Sequence, residues 1–115
     1  MGDLSAHFNR SEFRDHRTGA VQVDPKLVQC LENLRRICGG KPLHIVSGYR
    51  SASTNKAVGG ASKSQHLYGR AADIPKGYAT VKQAILAGFT GVGDDDGWAT
   101  HVDVRPGSRV ARWHY

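Results

Sequence analysis

Two histidines and an aspartate, His66, Asp73 and His101, set the tightest condition on how this 115-residue chain folds, because no single helix or strand brings them together. Positions 66 and 73 are seven apart, a spacing at which neither one helical face nor one strand lets the two side chains meet, so the chain must turn between them. Gly69 supplies that turn, and Ala71 keeps the start of the following strand slim. Asp73 then lies in an apolar run between Ala72 and Ile74, where an ionised carboxylate needs a partner to offset its desolvation. Imidazole nitrogens and a carboxylate oxygen are donors that zinc accepts, and three protein ligands leave a fourth position for water. Spacing alone leaves a second reading open, in which these are unrelated polar residues of a chain with six histidines.

His101 and Asp103 are two apart in a β-rich run, so both side chains point to one face of the strand. Asp103 would either accept a proton from metal-bound water or orient His101 from behind. Asp94, Asp95 and Asp96 compete for the proton-accepting role, Asp96 foremost, but three aspartates before a glycine also read as a solvated turn. Arg50 stands at the end of the run 43–46, just before a long small-residue loop, with planar donors suited to a carboxylate or a polarised carbonyl. Ser47, Tyr49, Gln65 and Tyr68 are further candidates for lining the same cleft.

The length fits one domain spanning 1–115, with residues 1–20 as an arm held down by Leu4, Phe8 and Phe13. A cap at Asp24, Pro25 at the first helical position, and Leu27, Cys30, Leu31, Leu34 and Ile37 at helical spacing predict a helix that ends at Gly39-Gly40. Strands are expected at 43–46, 70–74, 89–93 and 100–104, the last two joined through residues 94–97 as an antiparallel pair. Short helices are expected around 55–58 and from Thr80 to Gly88. The expected class is α+β, a small, mostly antiparallel sheet with helices on one side.

The formal net charge of +6 favours an acidic partner. No basic helix or interleaved aromatic motif accompanies it, which argues against a specific nucleic-acid module. There is no apolar run long enough to span a bilayer, and the first residues lack the basic and apolar regions of a secretory leader, so the export route is not legible here. Cys30 and Cys38 sit eight positions apart, roughly 12 Å along a helix, too far for a disulfide.

Several motifs in order carry a resemblance. They are Leu4-Ser5-Ala6-His7-Phe8 with Glu12-Phe13, Ser47-Gly48-Tyr49-Arg50-Ser51 with Asn55, the block from Ser64 to Asp73 with its histidine, glycine and alanine, His101-Val102-Asp103, and the closing run from Arg109 to Trp113. In these the chain resembles the M15 zinc D-Ala-D-Ala peptidases, in their small branch of peptidoglycan carboxypeptidases and endopeptidases. The resemblance implies the fold shared with hedgehog domains and one zinc ion on His66, Asp73 and His101. It also implies an Arg50 that contacts the peptide, and hydrolysis of stem peptides in the cell wall or periplasm by a monomer. Many members place an acidic residue three positions before the last zinc histidine; here that position is Trp98. Asp103 is then the expected base and Asp96 the second candidate. The competing expectation is a non-catalytic, zinc-containing module that binds wall or protein.

Overall fold

A computed structural model describes residues 2–115. Helix α1, Pro25–Ile37, begins where the Asp24 side chain accepts the Lys26 amide and proline occupies the first position, and it buries Leu27, Val28, Cys30, Leu31 and Leu34. Helix α2 is Ala52–Ala57, capped by Ser51, and α3 is Val81–Ala87, where Thr80 and Gln83 form a reciprocal capping box. The strands are β1, Ala71–Asp73; β2, Gly91–Asp95; β3, Trp98–Asp103; and β4, Ala111–His114. They form one sheet in the order β1-β3-β2-β4. Both ladders of β3 are antiparallel and β4 runs parallel to β2, so the α+β expectation holds with one parallel edge added.

The pleat separates a core face from a site face. Ala72, Val102 and Val92 lie side by side across the sheet and join the buried cluster with Leu31, Leu34, Ala84 and Phe89. The rows on either side, Asp73–His101–Gly93 and Ala71–Asp103–Gly91, therefore point the opposite way. One two-residue alternation thus buries valines and delivers the polar groups together. Phe8 and Phe13 of the N-terminal arm complete the core, each about 1% exposed.

Several boundaries differ from the sequence reading. Residues 43–46 form no strand: contact with the sheet is one isolated bridge between Ser47 and Asp73. Leu43 and Ile45 are buried as core residues instead. The hairpin shifts by two residues because Phe89 is taken into the core, Gly91 pairs with Asp103, and Asp94 and Asp95 belong to β2. The turn is left to Asp96 and Gly97, both with positive φ. Both cysteines are free, and Cys38 caps α1 rather than lying within it.

The arm is fastened by a buried carboxylate. Asp15 accepts the amides of Ser51 at 2.7 Å, Arg17 at 2.8 Å and Thr18 at 2.9 Å, and the Thr54 hydroxyl at 2.9 Å. Burial pushes this carboxyl up, but those four donors together hold it well below the usual carboxylate range. A depressed folded value means the contribution is complete above the ordinary 3.8 and is lost as the pH falls below it. Asp15→Ala is expected to cost about 3 kcal/mol at pH 7, with a smaller difference from wild type at pH 3. Thermal melts of both proteins at the two pH values measure this, and equal midpoints at pH 7 contradict it.

Candidate metal centre

His66 stands on a single 3-10 turn, Gln65–Tyr68, whose start is fixed by the Ser64 side chain accepting the His66 amide. The turn ends at Gly69 in the left-handed region at φ 68°, and a Cβ there would lie 2.2 Å from the Gln22 carbonyl oxygen. Glycine is required twice over, and the reversal it allows sends the chain into β1 with Asp73 at its end. Across the ladder from Asp73 is His101.

The three side chains meet. His66 Nε2 is 3.3 Å and His101 Nδ1 is 3.2 Å from the same oxygen, Asp73 Oδ1, and one donor atom from each residue lies within 4.8 Å of the others. What surrounds the rings fixes which nitrogens face inward. His66 Nδ1 is 2.6 Å from the Gly48 carbonyl, which only accepts, so that nitrogen carries the hydrogen. His101 Nε2 likewise donates to Asp103 Oδ2 at 2.8 Å. In the neutral rings, the remaining nitrogens then present lone pairs to an anionic oxygen, an arrangement that repels itself unless a proton or a cation sits between. Imidazole nitrogens and a carboxylate oxygen aimed at one point fit zinc.

Charge is arranged around this point in two layers. Burial raises the Asp73 carboxyl, but with a proton between it and the His101 and His66 rings, their hydrogen bonds and charge more than offset that and hold it well below the usual range. Its other oxygen accepts Arg50 NH2 at 3.0 Å. Burial lowers the His101 ring, but Asp103 and Asp73 together lift it above the ordinary value. Behind His101, Asp103 is fully buried and accepts Arg105 Nε at 2.9 Å and NH2 at 2.6 Å. Gly91 makes the space: a Cβ there would lie 2.1 Å from Asp103 Oδ1.

The donors open into a cleft of about 470 Å³ lined also by Arg50, Lys63, Gln65, Arg105, Trp113 and Tyr115. A larger cavity, about 650 Å³ between the arm and the end of α1, holds none of the three donors. Of the residues singled out in the sequence, Arg50 and Gln65 reach the cleft, whereas Ser47, Tyr49 and Tyr68 do not line it. Ser47 and Tyr49 are used by their backbones, toward Asp73 and Phe13, and the half-exposed Tyr68 ring lies against the Arg70 guanidinium. Asp103 lies behind the His101 ring instead of in the cleft, and Asp96 is exposed on the β2–β3 turn, also outside it.

Asp94 is not solvated. It is 2% exposed and accepts Arg112 NH2 at 2.7 Å and the Gly97 amide at 2.7 Å, which ties β4 to β2. The sequence reading had no strand at 111–114 and so missed the wall that β4 builds. The Trp113 ring centre lies 5.1 Å from that of His101, and Arg105 stacks on Trp113 at 5.0 Å.

Two histidine nitrogens and one carboxylate oxygen at the floor of an open cleft are a donor set that would leave one coordination position of a zinc ion free. A family model described as Peptidase M15 matches residues 6–103, and the chain belongs to that family. Among curated proteins it is 42% identical over 64 residues to a zinc D-Ala-D-Ala carboxypeptidase of Streptomyces albus G, covering 52% of this chain and 25% of that protein. It is 40% identical over 69 residues to the peptidoglycan L,D-endopeptidase MepK of Escherichia coli K12, covering 54% of this chain and 38% of that one. The matched stretch therefore spans well under half the length of these relatives. Among the described residues, no helix is long and apolar enough to cross a membrane.

Proposed function

We propose that this domain is a zinc-dependent peptidase that hydrolyses peptide bonds in peptidoglycan stem peptides, acting in the cell wall or periplasm. The observation that carries the proposal is the convergence of His66 Nε2, Asp73 Oδ1 and His101 Nδ1 at an open cleft. The peptide substrate is supported by family membership and by the activities for which the two relatives are named.

When bound, zinc supplies Lewis acidity, which acidifies water and polarises a carbonyl. The chain's residues do the rest. Arg50 spends one nitrogen on Asp73 and keeps further N–H donors for a peptide carbonyl, so it both orders a ligand and positions substrate. Asp103, ion-paired to Arg105 and bonded to His101, fixes the tautomer and tilt of that ring. We assign it that positioning role in place of proton acceptance, because its oxygens are buried and already hold four hydrogen bonds, from His101 Nε2 and from the Arg105 amide, Nε and NH2. Asp96 is exposed on its turn and does not line the cleft, so we assign it no part in proton transfer.

Digestion of defined muropeptides by the zinc-loaded protein, read by mass spectrometry, tests the reading. Expected is loss of a terminal D-alanine or scission of one cross-link, abolished by a chelator and restored by zinc. Stoichiometric zinc with every muropeptide intact would instead support a non-catalytic wall-binding module.

A further inference from the structure

The cleft is unequal in charge. Among the described residues its cationic side chains are Arg50, Lys63 and Arg105, and its one carboxylate side chain is Asp73. Arg50 is paired with Asp73 and Arg105 with the buried Asp103. Lys63 alone is uncommitted: it is exposed and makes no ion pair or side-chain hydrogen bond among the described residues. Its place is nonetheless defined. Ala61 accepts the Ser64 amide in a tight turn, Asn55 Nδ2 holds the Ala61 carbonyl at 2.8 Å, and Ser64 caps the turn that carries His66. The backbone that carries Lys63 is thus fixed three residues from a metal donor, and the side chain lies on the rim of the same cleft.

A free cation beside a site whose own carboxylates are all satisfied is complementary to an anion that arrives with the ligand. We infer that Lys63 is a specificity-determining residue that captures a carboxylate of the bound peptide. The inference rests on the peptidase reading for its substrate class. The carboxylate has two sources with the same chemistry, the peptide C-terminus and an internal acidic residue, and the two are separable by amidation. Lysine acts here as a flexible point charge, so its removal weakens binding of the carboxylate form about tenfold and leaves the reaction chemistry in place.

The test uses zinc-loaded protein and the pentapeptide L-Ala-γ-D-Glu-L-Lys-D-Ala-D-Ala in three forms: the free acid, the C-terminal amide, and the form with the D-Glu α-carboxylate amidated. Calorimetry gives the Kd of each, and mass spectrometry gives kcat and KM for those that are cleaved. The expected wild-type result is a preference of about tenfold for the free acid over one amidated form, and that form identifies the carboxylate. Lys63→Ala abolishes the preference through KM with kcat held, and Lys63→Arg restores most of it. Equal weakening of all three peptides by Lys63→Ala, an unchanged preference, or no binding of any peptide overturns the inference. Binding that depends on Lys63 without cleavage sinks the peptidase reading alone, and cleavage with binding indifferent to Lys63 sinks the inference alone.

Discussion

Replacing His66 with alanine is expected to leave the purified protein without zinc and to lower peptide-bond cleavage at least about a thousandfold, the scale of several kcal/mol of lost Lewis-acid stabilisation. The loss has two parts. Nε2 is one of the three inward-facing donors found among the described residues, and two remaining ligands do not make a competent zinc site. Nδ1 is also the group that satisfies the Gly48 carbonyl, so the alanine variant leaves that buried acceptor unpaired and costs about 1 to 3 kcal/mol of stability. Metal content by mass spectrometry after dialysis, with a thermal melt, separates the two. A folded variant that still carries one zinc would remove His66 from the ligand set.

Asp103→Asn tests the layer behind the metal. The aspartate only accepts, and its partners, His101 Nε2 and the Arg105 guanidinium, only need to donate. An asparagine brings an amide that donates and must turn it toward one of them. Turned toward His101, it favours the tautomer with hydrogen on Nδ1, which removes the inward lone pair; turned toward Arg105, it sets a donor against a half-buried cation. Zinc affinity is expected to fall 10- to 100-fold, roughly the range for loss of a group that orients a ligand, and stability by about 3 kcal/mol. Burial raises the Asp103 carboxyl, and Arg105 and His101 more than compensate, so it is depressed below its ordinary 3.8. Its contribution is therefore present above that pH and lost below it. Excess zinc should recover much of the variant's rate. Full zinc occupancy at wild-type affinity with the rate lost would contradict the positioning role and return Asp103 to proton transfer.

Local signals and distant ones were not equally legible in the sequence. Helix α1 announces itself because its cap, proline and stop are adjacent to the pattern they bound, and Gly69 reveals the reversal between His66 and Asp73 for the same reason. Family resemblance then converted a sensible donor set into a specific one. By contrast, β4 is only four residues of weak alternation whose strand identity comes from direct parallel pairing with β2, a strand that all of β3 separates from it along the chain. The cleft's aromatic wall was hidden with it. Asp94 looked like a turn aspartate because its partner, Arg112, lies 18 residues away, and Asp15 drew no notice because its partners Ser51 and Thr54 lie 36 and 39 away. Asp103 was placed on the correct face from its spacing, but Gly91, which makes room for its carboxylate, and Arg105, which neutralises it, decide that it looks away from the cleft.

X-ray absorption at the zinc edge of the loaded protein should show nitrogen and oxygen neighbours only, at about 2.0 to 2.2 Å, with two imidazoles in a four-coordinate site and no sulfur. His101→Ala should remove one imidazole contribution or the metal altogether. A zinc–sulfur distance near 2.3 Å, or an unchanged two-imidazole spectrum in His101→Ala, would contradict this coordination.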